Sequence, residues 1–591
     1  MISSSTPLPA RSEEWGVRLL AFPERSHARA LALLLVLGLV AFLPGFASLQ
    51  PFDRDEPRFA QASKQMLESG DFIDIRFQDE GRHKKPVGIY WLQTAVVSGA
   101  EALGVPQART TIALYRLPSL FGAVAVVLGT YWAALVLLAG VANVPARRAA
   151  FLAGAFMAAS ILLGVEARIA KTDAMLAACS IVAMAVLARA WLARAAAGRS
   201  APLPVSLALP FWLAVGVSIL IKGPLLLMVA GLAAAVLCIR ERSARWLLAL
   251  RPLQGLTVVA AIALPWFLAI WIKTGGAFFA ESVGKDMLAK AQSGQERHWG
   301  PPGAYLLAFF GTFWPAAVLT AIGVHAVWRE RRADWVMFCL AWIVPTWLVF
   351  EILPTKLPHY VLPVYPAIAI LTAWALLNGD IHRRRPLAAV ATVLMPLIPL
   401  AVAVGLSVFA YRHDGTVLYP ALPLFALSVL LALAGWRAFL RERVVSGALL
   451  GVAASLALSV SVFGVAQTLI PALKLSPRLA AAASGLDCED PRLATTRYRE
   501  PSLIFLTRTD LVLTDGAGAA DFLAGGDCRM AFVEKRDEEA FAAQLARTAL
   551  VPALVTRVQG FNINGGRAID IGVYRTARPA PPATPGQQQE R

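Results

Sequence analysis

The chain has 591 residues, of which 57% are hydrophobic and 16% charged, and its mean hydropathy is +0.60. These values exclude an ordinary soluble domain and indicate a polytopic membrane protein. The formal charge of +17 does not mark a nucleic-acid binder, because most of the excess lies in short joints between apolar runs, where cytoplasmic loops collect Lys and Arg.

Apolar runs long enough to cross about 30 Å of hydrocarbon recur along the chain. The basic joints Arg18/Arg25/Arg29, Arg147-Arg148, Arg189/Arg194/Arg199, Arg240/Arg242/Arg245, Arg329/Arg331/Arg332, Arg383-Arg384-Arg385 and Arg437/Arg441/Arg443 mark the cytoplasmic side. Spans are predicted at 30–49, 117–139, 149–166, 173–192, 204–220, 224–239, 253–272, 303–327, 335–353, 359–377, 387–409, 418–436 and 446–470. That makes about thirteen transmembrane helices with the N-terminus inside and the C-terminus outside. Residues 1–29 form a cytoplasmic segment and 30–471 the membrane domain. The first apolar run, ending at Leu43-Pro44-Gly45-Phe46-Ala47, is long enough to remain as an anchor.

Within the first outer loop, 50–116, two stretches are predicted to lie in the interface. Segment 57–68 places Phe59, Ala62 and Met66 on one helical face. Segment 86–104 carries Gln93 and Glu101, and a crossing there would put Arg147-Arg148 outside. This loop holds the densest charge in the chain, Asp53-Arg54-Asp55-Glu56-Pro57-Arg58 and Arg82-His83-Lys84-Lys85. Solubility needs no such density beside a bilayer, and the combination suits carboxylates that handle an acceptor and cations that hold phosphate.

From about 472 the apolar runs shorten to strand length, as in Ser502-Leu503-Ile504-Phe505, Asp510-Leu511-Val512-Leu513, Met530-Ala531-Phe532-Val533 and 568–574, with a helix opening at Asp537 and running through Arg547. Residues 472–577 are read as a periplasmic α/β domain, and 578–591, rich in Pro, Ala and Gln, as a disordered tail. Cys179, Cys238 and Cys339 fall inside predicted spans as apolar filler. Cys488 and Cys528 are the two in the outer domain, where an oxidising compartment favours their pairing over two separate thiols.

The remaining outer turns add Arg168, Lys171 and Asp173, then Lys222, Lys285, Asp286, Arg297, His298, Lys356, His359, Tyr360, Arg412 and His413. Several lie at span ends, where charge is costly unless paired or facing a wet cavity, and they are functional candidates for that reason.

Six short motifs in order, Arg54-Asp55-Glu56-Pro57-Arg58-Phe59, Lys84-Lys85-Pro86 with Tyr90-Trp91, Arg116-Leu117-Pro118-Ser119, Ala170-Lys171-Thr172-Asp173, Lys222-Gly223-Pro224 and Lys356-Leu357-Pro358-His359-Tyr360, resemble the bacterial aminoarabinose transferase family. That family sits within the protein-mannosyltransferase-like integral membrane glycosyltransferases. The resemblance is strongest over roughly residues 30 to 380. It implies a C-type glycosyltransferase fold, a polyprenyl-phosphate-linked sugar donor, and inverting transfer on the periplasmic face of the inner membrane, commonly to lipid A. The sugar implied is aminoarabinose or a relative such as a hexuronic acid. The chain departs from the family at Lys84, where relatives carry a metal-binding carboxylate.

Transfer breaks the glycosidic bond to phosphate and leaves negative charge on the lipid, so a cation aimed there lowers the barrier. Lys85, Arg58 and Lys222 are candidates for that role, with Lys84, Lys356, His359 and Tyr360 as further substrate-binding candidates. Asp55, with Glu56 and Asp173, is the candidate catalytic set. Asp55 serves as base for a sugar hydroxyl or orients an acceptor phosphate that is already ionised. The bland alternatives are helix-cap or solvated carboxylates, including Asp53, and headgroup-anchoring lysines. No cofactor is required; for a divalent metal, His83 and His298 are candidate ligands, against hydrogen-bonded surface histidines. Trp299 is a candidate for sugar stacking. Two other functions compete: a transporter, for which charge near the midplane and an inverted repeat are expected, and transfer to protein, as in O-mannosylation, rather than to lipid.

Overall fold

The computed structural model describes residues 14–52, 54–194, 202–287, 300–379, 386–486, 488, 490–548 and 550–576. Asp53, Arg297, His298, Trp299 and the tail 578–591 lie outside the described residues, as do the side chains of Lys285 and Asp286.

The helices begin with α1 (Trp15–Glu24), α2 (His27–Phe42), α3 (Asp55–Ser69), α4 (Gly88–Ala102), α5 (Ile112–Leu137), α6 (Ala146–Ala159), α7 (Ile161–Glu166), α8 (Asp173–Ala193), α9 (Val205–Lys222), α10 (Leu225–Glu241) and α11 (Pro252–Thr274). They continue with α12 (Ala304–Thr312), α13 (Ala316–Arg329), α14 (Asp334–Ile352), α15 (Tyr365–Asn378), α16 (Pro386–Asp414), α17 (Leu422–Leu440) and α18 (Val444–Ser459). A short hairpin, β1 (Arg76–Phe77) with β2 (Glu80–Gly81), lies between α3 and α4.

Among the described residues nine helices are long and apolar enough to cross a membrane, and the bent pairs α1–α2 (114°) and α12–α13 (117°) bring the count to eleven at most. The expected count of about thirteen includes two segments that fall short in length. Segment 149–166 breaks at Ser160 into helices of 14 and 6 residues. Ser160 is extended, and its hydroxyl accepts from Leu163 N at 3.4 Å to start a new helix. Segment 224–239 is a 17-residue helix. The break is hidden in the hydropathy because both halves of 149–166 are apolar and largely buried.

Two close approaches set the geometry of one end of the bundle. Gly122 of α5 lies where a Cβ would stand 2.8 Å from the Ala174 backbone, so α5 presses on the first turn of α8. Gly88, at the start of α4, would place a Cβ 2.8 Å from the Leu220 carbonyl near the end of α9. The first contact fixes the surroundings of Asp173; the second brings the segment after Lys84-Lys85 against the turn that holds Lys222.

The C-terminal part is built from α19 (Leu475–Ser484), β3 (Arg492–Thr495), α20 (Pro501–Leu506), β4 (Val512–Leu513), α21 (Gly516–Ala524), β5 (Arg529–Glu534), α22 (Glu538–Thr548), β6 (Ala553–Asn562) and β7 (Arg567–Arg575). The sheet runs β4-β3-β5-β7-β6. β3 is parallel to β4 and β5, and β7 is antiparallel to β5 and β6. Alternation along β5 divides two small cores. Met530 and Phe532 pack with Leu479, Leu503 and Ile504, whereas Ala531 and Val533 pack with Ala519, Leu523 and Phe541. Helices α19 and α20 therefore cover one face of the sheet, and α21 and α22 the other.

Residues 502–505, expected as a strand, are helix α20. Pro501 opens the helix at its first turn, and its apolar residues point in different directions. Leu503 and Ile504 enter the sheet core, while the Phe505 ring meets Tyr115 of α5 edge-on at 5.2 Å. A four-residue apolar run does not distinguish these outcomes. Strands β3 and β6 were not legible either: β6 is an edge strand with mostly exposed or half-buried side chains.

Cys488 and Cys528 form a disulfide with Cα atoms 6.1 Å apart. Because the bond closes a loop of 40 residues, its loss removes about 4 kcal/mol in the chain-entropy account. Reduction is expected to make the C-terminal part susceptible to limited proteolysis at temperatures where the oxidised protein resists, with the helical signal of the bundle unchanged.

Candidate active site

A buried clamp anchors the site. Arg116 of α5 and Glu56 of α3 are both inaccessible to solvent, with Nε to Oε1 at 2.7 Å and Nη2 to Oε2 at 3.0 Å. Arg116 also donates to the carbonyls of Phe46, Leu49 and Gln50. Glu56 accepts from Phe52 N at 2.6 Å and Ala170 N at 2.9 Å. Each charge is thus paired and each carboxylate oxygen doubly satisfied, as burial demands. In this structure Glu56 ties the start of α3 to the segment 46–52 and the turn at Ala170, next to Asp55.

Asp55 is the first residue of α3, with a side chain 48% exposed. Arg58 Nη1 lies 3.9 Å from its Oδ1. Burial within the surrounding mass of protein pushes its carboxyl up, but Lys171, Arg82, Arg58 and His359 together hold it below the usual carboxylate range. Arg82 is held in place with its guanidinium 5.0 Å over the Phe59 ring.

Beside Asp55, the ends of three helical segments converge. Asp173 begins α8, Lys222 ends α9, and His359 lies in the 3₁₀ turn Pro358–Val364 that leads into α15. Lys222 Nζ donates to Asp173 Oδ1. His359 sits between two carboxylates, Nε2 at 3.7 Å from Asp173 and Nδ1 at 3.6 Å from Glu166. Lys171 Nζ is 3.8 Å from the same Glu166 oxygen. Tyr360 presents its ring to Lys222 Nζ at 5.4 Å and packs edge-on to His359 at 5.1 Å.

Glu166, Asp173 and His359 are the group of His, Cys, Asp and Glu side chains close enough to share a metal among the described residues, their ligand atoms all within 4.8 Å. The donor set does not fit an ion well. Lys222 bonds Asp173 Oδ1 and Lys171 lies 3.8 Å from Glu166 Oε1, so cations share the carboxylates of this cluster. His83 is not part of it. Its Nε2 meets Asp74 at 2.9 Å and its Nδ1 faces Glu281 at 3.5 Å.

Lys356 lies at a helix end. Its ammonium donates to the carbonyls of Phe350, Glu351 and Leu353, closing the C-terminal end of α14. In this structure the ammonium caps that helix end. Lys84 is exposed and Lys85 half-buried just before α4. Glu166 was not singled out by sequence reading, and Arg82 only as part of the charged cluster Arg82-His83-Lys84-Lys85. The available signal for Glu166 was a carboxylate closing an apolar run, a placement that is costly without a partner.

No protein-family model matches the chain. It is similar to undecaprenyl phosphate-alpha-4-amino-4-deoxy-L-arabinose arabinosyl transferases: 28% identical over 322 residues to that of Erwinia tasmaniensis, covering 54% of each chain. It is 27% identical over 401 residues to that of Edwardsiella ictaluri, covering 66% of this chain and 68% of the relative. The chain thus spans about half the length of the first of these relatives. The crystal structure of ArnT from Cupriavidus metallidurans bound to undecaprenyl phosphate superposes with a TM-score of 0.69, covering 95% of this chain and 98% of that one at 20% identity. The fold is that of ArnT. Its apo crystal structure agrees, with a TM-score of 0.68. The ArnT fold makes the chain a multi-pass membrane protein with a C-terminal sheet domain.

Proposed function

We propose that this chain is an inverting glycosyltransferase that moves a sugar from a polyprenyl-phosphate donor to lipid A at the periplasmic face of a bacterial inner membrane. The observation that carries the reading is Asp55, a solvent-reached carboxylate surrounded by Arg58, Arg82 and Lys171 at one end of an apolar bundle. The names of the relatives, and the undecaprenyl phosphate bound by the ArnT of similar fold, supply the substrate class. In this reading the cytoplasmic N-terminus and periplasmic C-terminal domain follow from the basic joints. Residues 30–471 make the catalytic domain and 472–577 the outer one.

A donor whose tail stays in the bilayer presents its phosphate at headgroup depth, where Arg58, Lys85 and Lys222 supply positive charge. The acceptor oxygen attacks the anomeric carbon, the bond from that carbon to the phosphate oxygen breaks, and the electron pair leaves with the polyprenyl phosphate. Cations at the phosphate stabilise charge as it develops. Asp173 orients Lys222, and His359 with Glu166 and Lys171 holds that pair in place. Asp55 takes the proton of a hydroxyl acceptor or aligns an ionised phosphate.

Mass spectrometry of lipid A and of polyprenyl-phosphate sugars, in cells with and without the chain, tests this. Loss of a lipid A sugar together with accumulation of its polyprenyl donor is the expected result. An unchanged lipid A with a sugar missing from another glycan removes the acceptor, and no glycosidic change at all removes the transferase.

A further inference from the structure

The C-terminal sheet carries a recess that the transfer chemistry does not use. It is a cavity of about 470 Å³ lined by Arg497, Arg499, Arg536 and Arg567, with Thr514, Asp515 and Asp537. Its position follows from topology. β3 ends at Thr495, β4 at Leu513 and β5 at Glu534, all three parallel, and the recess is formed by the residues just beyond those ends. Arg567 begins β7, which runs antiparallel to β5 and so starts at the same edge. The chain leaving β3 turns to α20 on one face, and the chain leaving the neighbouring β5 turns to α22 on the other. Adjacent strands whose connections diverge to opposite faces open a crevice at their carboxyl ends, the general ligand position of open α/β sheets.

The lining is built for an anion. Arg497 Nε is 2.7 Å from Asp537 Oδ1. Arg536 and Arg567 share Glu534, at 2.7 and 3.3 Å. Arg499 donates to the carbonyls of Thr496 and Thr514 at 3.3 and 3.2 Å. Glu534 and Asp537 are buried, so they act as struts that orient guanidiniums whose side chains stay open, at 54% for both Arg497 and Arg536 and 39% for Arg567. Asp515 spends an oxygen on the N-terminus of α21, accepting from Gly518 N at 2.8 Å. Four planar guanidiniums converging on one cavity match the geometry of phosphate, which accepts paired N–H bonds.

The same loop joins the recess to the reaction site. Residues 496–500 carry Arg497 and Arg499 and end in Glu500, whose Oε1 is 3.7 Å from Arg54, the residue before Asp55. Asn562 and Asn564 hold Glu500 from the other side, each at 2.9 Å.

We propose that the arginine recess binds a phosphate group of the glycolipid acceptor, holding one phosphate while another part of the molecule reacts at Asp55. The assignment rests on the transferase reading and extends it to an acceptor subsite.

The test uses the full chain in detergent, titrated with inorganic phosphate and pyrophosphate against chloride at constant ionic strength and read by calorimetry. Saturable binding is expected, weakened at least about tenfold in Arg497→Gln/Arg536→Gln and largely retained in Arg497→Lys/Arg536→Lys. The Gln pair leaves the buried Asp537 without its Arg497 partner, whereas Glu534 keeps Arg567 at 3.3 Å, so the melting temperature of each variant is measured and the Lys pair, which keeps both charges, separates a loss of folding from a loss of binding. Absence of saturable phosphate binding, or binding unaffected by the Gln pair, overturns the site. Competition against bound pyrophosphate in nanodiscs then identifies the source. Displacement by bisphosphorylated lipid A but not by its dephosphorylated form or by phosphatidylglycerol supports an acceptor subsite; equal displacement by phosphatidylglycerol overturns it. In transfer assays the Gln pair is expected to raise the acceptor KM with kcat little changed. Asp55→Asn, which leaves the recess intact, keeps phosphate binding. Failure of transfer with recess binding intact therefore removes the transferase reading, whereas failure of recess binding with transfer intact removes this subsite.

Discussion

Asp55→Asn is expected to lower sugar transfer by about 10²–10⁴-fold if the carboxylate acts as a general base, with the protein still folded and the polyprenyl donor accumulating. The substitution keeps shape and removes charge from a side chain that is 48% exposed and whose nearest ion-pair partner, Arg58, is 3.9 Å away, so little folding energy depends on it. The size of the loss reports on the acceptor. A hydroxyl must lose its proton, whereas an ionised phosphate needs only alignment, and a loss well under a hundredfold favours the phosphate. The pH dependence has a definite sign. Because surrounding cations hold the Asp55 carboxyl below its ordinary 3.8, the ionised form persists further into acid than that of an ordinary carboxylate, and a rate governed by this group is lost only as pH falls through that lowered range. Arg82→Gln removes one of those cations and is expected to move the acid limb toward higher pH. A purified Asp55→Asn protein that turns over at more than half the parental rate ends the assignment.

The candidate site residues stood out in the sequence because charge beside long apolar runs is expensive and has few structural reasons to be there. In the sequence Lys171, Asp173, Lys222 and His359 stand at span ends and Asp55 in the first outer loop; in the structure they lie at one end of the bundle. Their division of labour was not legible. Glu56 and Asp55 are adjacent carboxylates in one motif, and what separates them is Arg116, 60 residues away, together with the backbone of Phe52 and Ala170. Lys356 stands in a motif beside His359, yet three carbonyls of α14 claim its ammonium. His83 meets Asp74 and Glu281, which lie in other parts of the chain. A motif gives the residue types a chemistry needs, but hydrogen-bond partners come from tertiary packing. The arginine recess makes the same point: Arg497 and Arg567 are far apart in the chain and meet only because β3, β5 and β7 are neighbours in the sheet. The fold as a whole was read more securely than its C-terminal part, since a span has a length requirement and a short strand has none.

Glu56→Gln distinguishes a positioning residue from a catalytic one, and its expected effect is on stability. Removing the negative charge leaves the Arg116 guanidinium fully buried among carbonyls without a counter-charge, at a cost of about 3–5 kcal/mol. That is enough to lower the melting temperature of the detergent-solubilised protein by many degrees and to reduce its yield from membranes. Arg116→Met is expected to be about as damaging, because Glu56 then keeps only the amides of Phe52 and Ala170. The double change Glu56→Gln/Arg116→Met removes both charges and is expected to cost less than the two single changes combined, the signature of direct coupling. Transfer by whatever Glu56→Gln protein folds is expected to stay within about tenfold of the parent at low temperature, since the proposed mechanism places the chemistry at Asp55 and the cations around it. A Glu56→Gln protein that melts with the parent but transfers no sugar reverses the assignment: the buried carboxylate then acts in the reaction, and the clamp with Arg116 is its resting state.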